Sequence, residues 1–361
     1  MWSFRAVTGR AMTLSSADDG SHRWHFDLHP SLVAYSPANP FSSRSDSHLG
    51  IVTGPFLHPT RLVISKKEEL EEDPQHAGQS SQVVWKSRNH RKNRHVDRDK
   101  RHPGGSALVG IAHMGRIEYW NISWAVAIAF TLGSIVWVIN GFYSFLPFVD
   151  ESFAMSVSGI GWTAWLGATV FEFGAILGVL EAWNRGDTVN FGRKVKRAFE
   201  SSSETDAERK KWIWFSMDLK YWHELGFLAA FVQLWAATIF WISGFTALPE
   251  IQNTISSETG ILDGVFWTPQ VVGGMGFIIS SSLLMLETQT KWYLPNPLNL
   301  GWQIAVWNLI GAVGFMLCGA LGYAAQVSAK AAYQSSLCTF WGGWAFLLGS
   351  ILQWYESVNS V

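Results

Sequence analysis

The chain has 361 residues, 48% of them apolar and 14% aromatic, with 21 tryptophans and only 15% charged side chains. About a quarter charged is usual for a soluble domain, so a wholly soluble or fibrous protein is excluded. The net charge of −1 hides a division: residues 1–117 hold 16 of the 27 Lys and Arg and 10 of the 11 His, while residues 118–361 form a series of long apolar runs.

The first 115 residues read as a basic, mostly disordered tail, because low hydrophobicity with high charge does not offset the entropy of ordering. Within it, Trp24, Phe26, Tyr35 and Phe41 mark a stretch able to fold or dock locally, and residues 42–82 are Ser-rich, with an acidic run from Glu68 to Asp73. Residues 86–101 carry eight Lys and Arg against Asp97 and Asp99. That run is expected to meet anionic lipid headgroups or water rather than nucleic acid. His22, His25 and His29 lie among Asp18, Asp19 and Asp27 but fit no firm zinc spacing. The chain opens on no apolar signal-type segment, so the first membrane helix is expected to direct insertion.

Six runs are long enough to cross a bilayer, which takes about 20 apolar residues each. They lie near 120–142, 159–181, 224–246, 265–287, 300–323 and 335–356 and are called spans 1 to 6. With both termini in the cytosol, 26 of the 27 Lys and Arg fall on that side and only Lys330 opposite; the outer loops 143–158 and 247–264 contain none. The positive-inside rule therefore sets an N-in, C-in orientation. The sequon Asn121-Ile122-Ser123 would then face the cytosol and stay unmodified.

The spans align with one another in two sets. In spans 2, 4 and 6 the rows are Gly167, Gly273, Gly342; Phe171, Phe277, Phe346; Gly174, Ser280, Gly349; and Glu181, Glu287, Glu356. In spans 1, 3 and 5 they are Trp124, Phe227, Trp302; Gly133, Ala236, Gly311; Trp137, Phe240, Phe315; and Gly141, Gly244, Gly319. The membrane domain, 118–358, thus reads as three parallel helix-pair repeats, 118–184, 222–289 and 300–357, about a pseudo-threefold axis. Small residues every seven positions let neighbouring backbones approach in lipid. The rows read first as packing surfaces, with a ligand path as the alternative. The three glutamates end their helices, where the dipole disfavours a carboxylate, so each is expected to pair with a helix N-terminus or with a basic residue, Arg116, Lys220 and Lys291 lying just before spans 1, 3 and 5.

The residues Leu234 to Thr238, Pro269 to Gly276, Trp307 to Gly311 and Trp341 to Glu356 resemble a group of fungal six-helix integral membrane proteins. The last run is also similar to the bacterial YrhK-type two-helix domain. The resemblance implies a six-span membrane protein of unassigned activity and supplies no site residue.

Chemistry is tested by absence and by depth. Beyond residue 113 the only histidine is His223, too few for a di-haem bundle. No H-E-x-x-H zinc motif and no P-x-[DE]-x-x-[KR] carrier signature occurs. No catalytic residue, metal set or cofactor is expected, and the chain reads as a non-enzyme. Glu172 is the one ionisable residue well inside a span, where acids are costly. With Gln233, Gln270 and Asn308 it forms the candidate polar lining of a transporter or channel-like conduit. The alternative is separate interhelical hydrogen bonds in a non-catalytic scaffold whose tail binds lipid or a partner. Cys318 and Cys338, at similar depth, read as buried thiols or as a disulfide closing the span 5–6 hairpin.

Overall fold

The computed structural model describes residues 57, 58, 60–66, 81–92, 107–150, 152–184 and 212–359, all belonging to a unit spanning Ser36–Val361. The histidine triplet, the aromatic stretch 17–41 and residues 93–101 of the basic run lie outside them.

The polar segment before the membrane domain is not without structure. Strand β1 (Arg61–Lys66) pairs antiparallel with β2 (Ser81–Lys86), Arg61 opposite Lys86. β2 runs straight into a helical turn, α1 (Ser87–Arg91), and the Ser87 amide donates to the Thr60 carbonyl at 2.9 Å. Near the start of this segment, the His58 amide donates to the His223 carbonyl at 2.7 Å, tying it to the foot of span 3. A further short helix, α2 (Ala107–His113), packs on the end of span 6, where Asn359 donates to the Gly110 carbonyl.

The six spans are α3 (Ile122–Phe145), α4 (Val157–Trp183), α5 (Leu225–Thr246), then, after short helices α6 (Pro249–Ile255) and α7 (Thr259–Leu262), α8 (Thr268–Thr288), α9 (Leu300–Gly322) and α10 (Ala329–Val358). They coincide with the six runs of the sequence, and the six candidate membrane spans are 22 to 30 residues long. At about 1.5 Å per residue each covers a hydrocarbon core of about 30 Å. Four of them start on polar caps, Asn121, Ser156, Asn299 and Ser328, whose side chains accept from amides of the first turn. Asn121 is buried in this role and also donates to Glu118. Span 4 begins with a π-helical turn, Asp263–Trp267, ahead of Pro269. The proline has no N–H for the Val265 carbonyl four residues back, and the Thr246 hydroxyl of span 3 donates to it instead, at 3.0 Å.

Each span packs against the one before and the one after it, and span 6 packs against span 1, so the six helices form a closed ring. Side chains fill the centre of the ring. Its buried centre includes Trp137, Phe171, Phe240, Phe277, Phe315 and Phe346, flanked by alanines from spans 2, 3 and 5. These are two of the three aromatic rows of the alignment, one ring from every span.

Candidate functional site

The three glutamates ending spans 2, 4 and 6 meet at one end of the ring. Glu181, Glu287 and Glu356 are 3%, 5% and 5% exposed, so each must be compensated. Their partners come from α1 and the residue after it, not from the loops before the odd spans. Arg88 grips Glu356 with two bonds, Nε to Oε1 at 3.2 Å and Nη2 to Oε2 at 2.8 Å, and its Nη1 lies 3.9 Å from Glu287. Arg91 donates to Glu287 at 2.7 Å and to Glu181 at 3.3 Å. Lys92 Nζ lies 3.7 Å from Glu181 and 3.6 Å from Glu356. Every cation touches two carboxylates and every carboxylate two cations, closing a ring of six alternating charges. We call β1, β2, α1 and Lys92 the strap.

Two hydroxyls and two glycines complete this socket. Ser123, in the first turn of span 1, donates to Glu181, and Ser87 Oγ donates to Glu287 Oε1 at 3.3 Å. The positions aligned with Ser123 are Gly226 and Gly301. A Cβ on Gly226 would lie 2.5 Å from Glu287 Oε1, and one on Gly301 2.6 Å from Arg88 Nε. Only the missing side chain admits the strap so close to spans 3 and 5. Burial alone would lower the affinity of the Arg88 guanidinium for its proton; Glu356 beside it, helped by Glu287, holds it above its ordinary range instead. Arg91 is likewise raised, its burial outweighed by Glu287 and Glu181.

This arrangement corrects one expectation. Arg116 is exposed, Lys220 pairs with Asp218 at 2.9 Å, and Lys291 lies over the Tyr293 ring, so none of the three serves the glutamates. The carboxylates turn into the ring, whereas those cations stand outside it. Arg88, Arg91 and Lys92 are themselves 9%, 6% and 4% exposed, buried against the carboxylates. The spacing that would have exposed the pairing was present: positions i, i+3 and i+4 place three cations on one side of a single helical turn.

The four intramembrane polar candidates do not form one lining. Gln233 and Asn308 do come together, with Ser134, Ser280 and Ser281, in a narrow cavity closed by Phe171 and Phe346. Towards the strap, a second cavity shares Gln233 and Asn308 as walls and ends on Arg88, Arg91 and Lys92. Glu172 borders neither. It sits between spans 2 and 3, half-buried, accepting from the Thr238 hydroxyl at 2.9 Å. Gln270 lies beyond the aromatic centre, where it donates to Cys318 Sγ at 3.0 Å and accepts from Ser243 at 3.4 Å. Thr339 and Ser335 join the same network through Cys318. Cys318 and Cys338 are both buried free thiols, not a disulfide.

Between the polar cavity and this network stand the six rings. Phe315 lies 4.7 Å from Trp137, 5.6 Å from Phe240 and 5.2 Å from Phe346, centroid to centroid. Phe171 meets Phe346 at 5.4 Å, and Phe240 meets Phe277 at 5.8 Å. Offset and edge-on contacts of this kind are the favourable ones for aromatic pairs. Among the described residues, no cluster of three or more His, Cys, Asp or Glu is placed to hold a metal ion. No family model, curated protein or solved structure matches the chain.

Proposed function

We propose that this multi-pass membrane protein is a non-catalytic organiser built from three helix-pair repeats, which holds its own N-terminal segment against the cytosolic end of the bundle. The observation that carries this reading is the closed ring of six buried charges between the strap and the ends of spans 2, 4 and 6. A buried ion pair broken on one side costs about 3–5 kcal/mol, so a network of this kind holds its segment in one register. The cytosolic placement rests on the distribution of Lys and Arg among the loops. Any contact of the basic run with anionic headgroups falls to the exposed Lys86 and to its cations beyond Lys92.

A second reading, a gated conduit, is favoured by one observation. The second cavity, which shares Gln233 and Asn308 as walls with the first, ends on the strap, as a vestibule ends on its gate. The lining is then Gln233 and Asn308, without Glu172. The two readings part on ion flux. Purified protein is reconstituted in liposomes loaded with a potassium- or proton-sensitive dye, as wild type and as the R88A/R91A/K92A variant. The organiser passes no more ion than protein-free liposomes in either form. Flux in the triple variant alone would overturn the organiser reading in favour of the gated conduit.

A further inference from the structure

Among the described residues, Ser87 is the one neutral hydroxyl that the strap brings to the ring of charges. It opens α1, is only half-buried, and donates to Glu287 Oε1 at 3.3 Å. Its chain neighbours are Lys86 and Arg88, with Arg91 and Lys92 one turn on. Glu287 in turn takes Arg91 at 2.7 Å, the shortest ion pair in the ring. A dianion placed on Ser87 would stand against the Glu287 carboxylate and compete with it for Arg91 and Arg88. Phosphate on serine carries about −1.5 to −2 charges and three strong acceptor oxygens, and beside a carboxylate it disrupts by like-charge repulsion.

We propose that Ser87 is a phosphorylation site and that its modification releases the strap from the three carboxylates. This inference rests on the strap-holding reading above and on the cytosolic placement, which brings Ser87 to a nucleoside triphosphate. The serine oxygen attacks the γ-phosphorus of that triphosphate; the new O–P bond forms as the bond to the diphosphate leaving group breaks, and the hydroxyl proton passes to the kinase base. The recognition element is the basic surround, Lys86, Arg88, Arg91 and Lys92, which the kinase reads when the strap is off the bundle. Once phosphorylated, Ser87 finds its cationic partners within its own turn, and the unmodified carboxylates no longer outcompete them. The strap is thereby a lock in which the same arginines serve either the glutamates or the phosphate.

The test uses the full chain in lipid nanodiscs and hydrogen–deuterium exchange of the backbone over residues 84–92, with the spans as an internal reference for folding. Ser87→Glu is expected to raise strap exchange at least about tenfold, since like charges in a buried site outweigh a lost neutral hydrogen bond. Ser87→Gln, of the same size without charge, should stay within about threefold of wild type. S87E/E287Q, which restores the charge count of the ring, should return exchange towards wild type. Treatment of the wild type with a serine kinase selective for basic sequences, with ATP, should give a phosphopeptide at Ser87 and the same increase. The R88A/R91A/K92A variant marks full release. If that variant exchanges no faster than wild type, the strap-holding reading fails. If it exchanges faster while Ser87→Glu and phosphorylated protein match wild type, the Ser87 proposal alone is overturned. Equal effects of Glu and Gln would overturn it too, by showing bulk rather than charge at work.

Discussion

At the residue scale, the socket is an exercise in shared counter-charge. Arg91 stands between Glu181 and Glu287, so removing it strips the nearest cation from two carboxylates at once. Arg91→Leu is expected to cost about 3–5 kcal/mol of stability, the range for orphaning a buried charge. E287Q alone leaves Arg91 on Glu181, and the double variant R91L/E287Q restores neutrality, so the two changes should cost less together than their sum. Thermal unfolding of the four proteins in one lipid mixture measures the coupling, and costs that add within about 0.5 kcal/mol would show that the charges act independently. The same arithmetic separates the polar candidates. Gln233 and Asn308 come seven residues before Phe240 and Phe315, on the line that faces the ring centre, and the cavity contains both. Glu172 follows Phe171 by one residue, about 100° round the helix, which turns it to the contact with span 3. Depth alone suggested a shared lining; angular position, equally readable, divides it.

At the element scale, the spans were legible because each is long, apolar and period-matched, and because length decides the matter in a bilayer. The strap was not. Its three cations lie in a stretch of low hydrophobicity, and the groups that pay for its ordering sit 90 to 268 positions away in sequence. Local composition therefore points to disorder, while three carboxylates pooled from three spans supply the missing stabilisation. The aromatic rows show the opposite case, where local pattern and tertiary packing agree. Phe315, 1% exposed, touches Trp137, Phe240 and Phe346, and Gly342 lets it lie flat against span 6, since a Cβ there would come 3.0 Å from its ring. Phe315→Ala should cost about 3–5 kcal/mol, as buried Phe truncations do. Trp162, in span 2 but 49% exposed on the outer surface, should tolerate the same truncation within about 1 kcal/mol. Unfolding midpoints of the two variants, taken side by side, check the contrast; equal losses would deny the rings their place at the centre of the fold.

At the scale of the whole molecule, the strap and the orientation depend on each other. The bundle end that receives the strap also carries the starts of spans 1, 3 and 5 and the close of span 6, so the N-terminal segment, the loop before span 5 and the C-terminus share one side. In the sequence, 26 of the 27 Lys and Arg fall in the segments that precede spans 1, 3 and 5, and Lys330, in the first turn of span 6, is the exception. Short loops rich in basic residues stay in the cytosol, and on that rule the strap end is proposed to face it. Two exposed positions report this directly. Leu298 is 98% exposed before span 5, and Val327 is 88% exposed between spans 5 and 6, at the other end. Both native thiols are buried, so a cysteine placed at either position is the reactive one. In sealed cells, a membrane-impermeant maleimide should label Val327→Cys and spare Leu298→Cys until the membrane is permeabilised, provided the chain resides at the surface; in sealed organelle vesicles with the cytosolic face outward the order reverses. The opposite order would turn the bundle over, and equal labelling in sealed membranes would deny it a single orientation. Inversion would also carry the strap and Ser87 away from the nucleoside triphosphate pool, so the orientation and the switch stand or fall on one pair of cysteines.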